Sequence, residues 1–269
     1  MGESTIAELG VPEPHRTTSP LERAAPGWLE RACILVPALD AERTIGGVVA
    51  ELGRAIPELA HAIVVVDDGS RDATARIAEE RGAIVVASHP SGANRGKGAA
   101  LRAGLEAARA RGMTVALSVD ADGQHPADEA RRVLFAADAE AALVLGVRDL
   151  VRDGAPRANR FSNGISNHFL SRFARRPLAD TQCGLRRYPV EETLALGTSG
   201  QGYDFEAEVL LRAIWSGLDV VEEPVRVLYP DDRTTHFRIG RDVGRIIRTV
   251  IATVGEHWLR AGAARRERA

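Results

Sequence analysis

Three clusters in the chain combine carboxylates with glycine or proline directly after short apolar runs. Pro37-Ala38-Leu39-Asp40-Ala41-Glu42 follows Cys33-Ile34-Leu35-Val36, and Asp67-Asp68-Gly69-Ser70 follows Ile63-Val64-Val65-Val66. Asp120-Ala121-Asp122-Gly123-Gln124-His125-Pro126 follows the run from Val115 to Val119. One carboxyl pair after a strand is commonplace and serves as a helix cap. Three at equivalent places are not explained by capping alone, although Ser70-Arg71-Asp72 suits the start of the next helix. Gathered carboxylates need a counter-charge, and a hard divalent cation with oxygen ligands, Mg2+ or Mn2+, supplies it economically. Asp120 and Asp122 are separated by one residue, which puts both side chains on the same side of an extended strand end. One can ligate the cation while the other orients a ribose or sugar hydroxyl. Such a cation would bridge a diphosphate and stabilise the charge that develops as it leaves. The plain alternative is a solvated acidic turn.

Asn94-Arg95-Gly96-Lys97-Gly98 opens a helical pattern. Its glycines allow close backbone approach, and a helix N-terminus favours anions. It is not a Walker A loop, because Ser91 stands where that motif needs Gly and Gly98 where Ser or Thr should follow the lysine. Lys97 is also the only lysine in a chain that otherwise uses Arg, a hint that a compact point charge is wanted there.

Clusters of this kind meet only if a sheet brings them together. Apolar runs at 33–36, 63–66, 84–86, 115–119 and 142–145 alternate with helical patterns near 44–56, 71–81, 97–111 and 126–139. Nearly continuous apolar strands separated by helices indicate an α/β fold with a mostly parallel sheet covered on both faces. In such sheets ligands bind beyond the carboxyl ends of the strands. Further on, the pattern predicts helices over 157–173, 203–216 and 239–259 and a strand over 219–228. No internal repeat or clear linker divides the chain. The expected organisation is a disordered Pro/Ser/Glu-rich tail over 1–27, one catalytic domain over 28–237 and a basic amphipathic helix over 238–269.

Charge is uneven: residues 148–176 carry seven Arg against two Asp, and residues 233–269 nine Arg against three acids, on a chain of net charge −2. This suggests an anionic partner met at particular places. Neither block interleaves aromatics as single-strand binders do, so phosphate or anionic lipid is preferred over nucleic acid. The absence of a signal pattern and of an apolar run near the ~20 residues that cross a bilayer leads to the expectation of a cytoplasmic protein, peripheral at most on the cytoplasmic membrane face. Cys33 and Cys183 follow no metal or redox spacing and fit a reducing compartment.

Taken in order, Pro37 to Glu42, Val66 to Ser70, Asn94 to Gly98 and Asp120 to Pro126 resemble family 2 glycosyltransferases of the GT-A fold. Asp180-Thr181-Gln182-Cys183-Gly184, followed by Tyr203-Asp204-Phe205-Glu206-Ala207-Glu208, is similar to the branch of dolichyl- and polyprenyl-phosphate mannosyl- and glucosyltransferases. The likeness covers about residues 31–237. It implies an inverting transferase that moves a hexose from a GDP- or UDP-sugar with Mg2+ or Mn2+. Pro37, Leu39, Glu42, Val66, Asp68, Asp120, Ala121 and Gln124 would contact the donor, with Lys97 also at the substrate. Asp122 would hold the metal, with Asp120 beside it and His236 as a third ligand. Arg148 would meet the phosphates, and Arg233 would close over them. One departure is Ala-Leu-Asp-Ala-Glu where relatives often have Ala-Tyr-Asn-Glu, so Leu39 cannot stack on a base as Tyr would.

The acceptor decides what else the site needs. A lipid phosphate, with a second pKa of about 6, is already a dianion near neutral pH and needs positioning by arginines such as Arg148, Arg157 and Arg160. A hydroxyl acceptor would need a base, for which Asp204 or Glu206 is the candidate. The C-terminal helix is open between a membrane surface, the core and a homodimer contact. Two other classes are compatible with an α/β chain: a dinucleotide oxidoreductase, disfavoured because no Gly-x-Gly-x-x-Gly follows the first strand, and a silent nucleotide-binding scaffold.

Overall fold

The computed structural model describes residues 25–229 and 239–266. Seven strands, β1 (Ala32–Ala38), β2 (Ile63–Asp67), β3 (Ile84–Ala87), β4 (Val115–Ser118), β5 (Leu143–Arg148), β6 (Arg186–Pro189) and β7 (Val220–Val225), form one sheet. Their order is β3-β2-β1-β4-β6-β5-β7, and every pairing is parallel except the two made by β6. Eight helices cover it: α1 (Ile45–Ala55), α2 (Thr74–Glu80), α3 (Lys97–Ala110), α4 (Ala127–Leu134), α5 (Arg157–Ala174), α6 (Val190–Ala195), α7 (Asp204–Ser216) and α8 (Ile239–Arg266).

Strands β1, β2, β4 and β5 are mostly apolar because both faces are covered. Ile34 and Val36 point into a core with α1, α2 and α4, whereas Cys33 and Leu35 point into one with α3, α5, α6, α7 and α8. Register then aligns the carboxyl ends. Ala38 pairs with Asp67, Asp67 with Ala87, and Leu35 with Ser118, so the three polar clusters emerge at one edge. Thr44 donates to the carbonyl of Ala121 at 2.6 Å and ties the first cluster to the third.

Two differences from the expected elements have physical reasons. The sequence reading contains no strand at 186–189, yet Arg186-Arg187-Tyr188-Pro189 is wholly buried in the middle of the sheet. The arginines are tolerated because backbone carbonyls surround them. Arg186 donates to the carbonyls of Cys183, Thr181 and Glu206, each at 2.8 Å. Arg187 donates to those of Leu134 and Ala137, at the end of α4 and beyond it, and lies over the Trp28 ring. The fourth helix is the second difference, ending at Leu134 rather than near 139.

The C-terminal helix packs on the body. Ile246, Val250 and Val254 are buried with Phe205 and Leu210 of α7, and full burial of such side chains contributes roughly 1.5–3 kcal/mol each. One side of α8 is thus core, as one of the open readings required.

Candidate active site

Each carboxylate at the strand ends is held by a neighbouring loop. Asp68, which is buried, accepts from the backbone N–H of Arg95 and Gly96 at 3.0 and 2.7 Å and from the Ser88 hydroxyl at 2.6 Å. It therefore fastens the 94–98 loop to β2. Asp40 accepts from Arg71 N–H at 2.8 Å, and Glu42 accepts from Ala73 N–H at 3.0 Å, so the first two clusters are laced together. Pro37, Val66 and Ala121 are buried at the floor, while Leu39 and Gln124 are partly open above it and Glu42 is exposed. These six positions, with Asp68, thus line one edge.

Lys97 sits at the centre of the charge. Its Nζ is 2.6 Å from Asp120 Oδ1 and 3.2 Å from Glu206 Oε1, and it lies 5.6 Å from the centre of the Tyr203 ring. The Glu206 contact is an ion pair by distance without hydrogen-bond geometry, since Oε1 is buried and accepts no hydrogen bond. Burial opposes both charges of the Lys97–Asp120 pair. Mutual attraction outweighs it, raising Lys97 and lowering Asp120. A Cβ on Gly184 would overlap the Asp120 carboxylate and stand 2.5 Å from Lys97 Nζ, so any larger residue would have to displace the ion pair. The sequence reading had Lys97 on the substrate; the structure seats it on protein carboxylates.

Asp122 is left with an uncompensated charge. Its Oδ1 accepts from Gln124 N–H at 3.0 Å, and burial together with the charge of Asp120 pushes its carboxyl up to about 6. Burial pushes neighbouring His125 down to about 4. Among the described residues no three His, Cys, Asp or Glu side chains form a ready-made ligand set. The pair Asp120 and Asp122 nevertheless fits Mg2+ or Mn2+, which bind through one or two carboxylates plus substrate phosphates. His236 and Arg233 lie outside the described residues.

Beyond β5, Arg148 is braced. Its Nε and a terminal nitrogen donate to fully buried Asp180 at 2.6 and 3.0 Å, and Asp180 also accepts from Gln182 N–H. Burial would lower the guanidinium, but Asp180 raises it, so Arg148 stays charged. Asp180 thus fixes the orientation of the Arg148 guanidinium. Arg148 walls an open cleft of about 480 Å³ shared with Val151, Arg152, Arg160, Asn163 and Asn167. Arg152 is paired with Asp153, leaving Arg160 as a lining arginine with no ion pair among the described residues. Asn163, missed in the sequence, is buried there with Oδ1 unpaired. Asn163 carries no sequence signal beyond its place on α5, three residues after Arg160.

Asp204 is used differently from the base role considered for it. It is buried, and its two oxygens accept from Gly202 N–H at 2.8 Å and from the Thr249 hydroxyl at 2.9 Å, fastening α7 to α8. Glu206 is the carboxylate of this segment that turns to Lys97.

Comparison with known proteins agrees with this arrangement. The family profile described as Glycosyl transferase family 2 matches residues 33–190. A polyprenol monophosphomannose synthase of Mycolicibacterium smegmatis is 31% identical over 207 residues, covering 73% of this chain and 77% of that protein. A dolichyl-phosphate beta-glucosyltransferase of Trichomonas vaginalis is 34% identical over 186 residues, covering 63% of this chain and 53% of that protein. Among solved structures, glucosyl-3-phosphoglycerate synthase from Mycobacterium tuberculosis, in complex with Mn2+, uridine diphosphate and phosphoglyceric acid, matches with a TM-score of 0.67. At 22% identity, covering 87% of this chain and 84% of that one, the likeness is one of fold, the GT-A fold. The sequence relatives include the dolichyl- and polyprenyl-phosphate branch. With more than half of its length matched by the profile, the chain belongs to glycosyl transferase family 2 and is a glycosyltransferase.

Proposed function

We propose that the protein moves a hexose from a nucleoside diphosphate sugar to a polyprenyl phosphate, inverting the anomeric centre by direct displacement. The observation that carries this reading is the adjacency of two differently charged zones. One is the carboxylate edge around Asp120 and Asp122, and the other is the arginine-lined cleft beyond β5. The donor lies along the edge between Leu39, Val66, Asp68 and Gln124. Asp120 and Asp122 would hold the cation, which when bound neutralises the leaving diphosphate.

Lys97 neutralises Asp120 and keeps it ionised and oriented. The acceptor phosphate enters the cleft, where Arg160 meets its charge and Arg148, locked by Asp180, shapes the wall. A phosphate dianion is already a nucleophile, so the site needs position rather than a base. That fits Asp204, whose oxygens are both occupied. The names of the relatives support the acceptor class: the Mycolicibacterium protein is a polyprenol monophosphomannose synthase and the Trichomonas protein acts on dolichyl phosphate. A lipid acceptor also places the protein at the cytoplasmic face of a membrane. Among the described residues no helix is long and apolar enough to cross one.

Calorimetry with GDP and UDP, each with and without Mn2+, tests the donor half. Tight binding of one nucleotide that strengthens with Mn2+ is expected. Equal, metal-independent binding of both would contradict it.

A further inference from the structure

Among the described residues, several large apolar side chains on the outer helices α5 and α8 are left exposed. On α8, Ile247, Ile251, Trp258 and Leu259 are exposed, Trp258 to 67%, although Ile246, Val250 and Val254 on the adjacent side are buried. On α5, which contacts α8, Phe161 is exposed to 71% and Phe169 to 49%. Monomeric soluble proteins seldom show large rings and branched chains gathered in this way without a partner. The helix period explains α8: positions 247, 251 and 258 fall within one narrow sector, beside the buried one.

Charge decides what the partner is. The α5 sequence contains Arg157, Arg160 and Arg172 and no acidic residue. Over residues 244–259 of α8 the one acid, Glu256, is paired with Arg212 at 2.8 Å. Arg157, Arg172 and Arg248 are exposed, and none makes an ion pair among the described residues. A second copy placed on this face would set arginine against arginine, which is unfavourable. An anionic lipid surface satisfies both parts, taking the rings and branched chains into its interface and the guanidinium groups onto its headgroups.

We infer that α5 and α8 together form a surface that docks in plane on anionic phospholipid. The cleft that holds Arg160 is walled by α5 itself, so docking would bring that opening to the bilayer. At 28 residues α8 is about 42 Å long at 1.5 Å per residue, ample for an in-plane contact.

The test uses the full chain and vesicles free of polyprenyl phosphate, so its outcome is independent of the acceptor assignment. Phosphatidylcholine vesicles with about 30% phosphatidylglycerol are compared with phosphatidylcholine alone. The protein should float with the anionic vesicles, and salt of about 0.5 M should release most of it. Trp258 emission should shift to the blue on binding, and Trp258→Phe should remove the shift, since Trp28 is buried and Trp215 mostly covered. Ile251→Glu on α8 and Phe161→Ser on α5 should each lower the bound fraction on the order of tenfold. Both sites are exposed, so the fold should survive, as a thermal melt would verify. No flotation, or equal flotation of wild type and both variants, would overturn the inference. So would a dimer in sedimentation velocity that Ile251→Glu splits, because the face would then belong to a second copy.

Discussion

The ammonium of Lys97 stands 2.6 Å from the carboxylate of Asp120, joining the first residue of α3 to the end of β4. A cation in the first turn of a helix opposes the helix dipole, which favours negative charge there. The position is tolerated because Asp120 and Glu206 offset it. Lys97→Met leaves two largely buried carboxylates without their counter-ion. The expected loss is about 3–5 kcal/mol of stability, read by urea denaturation, since breaking a buried pair strands the remaining charge. Lys97→Arg should recover only part, because a planar fork does not fit a point-charge site packed against Gly184. Full stability in Lys97→Met would show that the pair is ornamental.

Asp122 should behave in the opposite sense. Its carboxyl is raised to about 6, above the ~3.9 of an unfolded chain, so the folded state binds more protons between those values. Stability without metal should therefore fall as pH rises from about 4 to about 6 and then level off. Asp122→Asn, in chelator at pH 7, should stabilise the protein by about 1–2 kcal/mol, discounted for partial exposure. The same variant should lose metal-enhanced nucleotide binding in calorimetry. A variant that is destabilised and still shows that enhancement would contradict both halves.

Arg148 and Asp180 make a single brace. Arg148→Ala should cost about 3–5 kcal/mol in stability as well as activity, because fully buried Asp180 loses its partner. Arg148→Ala combined with Asp180→Ala should be milder than the single change. Arg160→Ala should leave the melting temperature within a degree or two while raising KM for the acceptor. Matched melts and acceptor titrations separate the two arginines. Equal thermal loss in both variants would remove the distinction.

Both thiols should be inert in the folded protein. Burial pushes Cys33 and Cys183 up to about 12 each, so neither forms thiolate at pH 8. Iodoacetamide should label neither until denaturant is added, and mass spectrometry should then find both modified. Labelling of either cysteine in the native state would place it outside the core.

The strands that build the site were legible because β1, β2 and β4 are apolar on both faces, and the polar clusters sit at their carboxyl ends. Register, which brings Asp67 beside Ala38 and Ser118 beside Leu35, has no local signature. The burial of β6 was hidden because Arg186-Arg187 reads as surface unless the carbonyls that receive the guanidinium groups are known. The pairings of Lys97 with Glu206 and of Arg148 with Asp180 join distant parts of the chain, so no local signature announces them.

The class of acceptor separates the two chemistries open to this site. Purified protein is given radiolabelled GDP-mannose or UDP-glucose, Mn2+ and either a short polyprenyl phosphate or the matching phosphate-free alcohol. Label should enter the organic phase only with the phosphate. Asp122→Asn should abolish that transfer, and Asp204→Asn should reduce it no more than its effect on stability explains. Preference for the alcohol, with Asp204→Asn the most damaging change, would contradict a lipid-phosphate acceptor and make this a transferase with a hydroxyl acceptor.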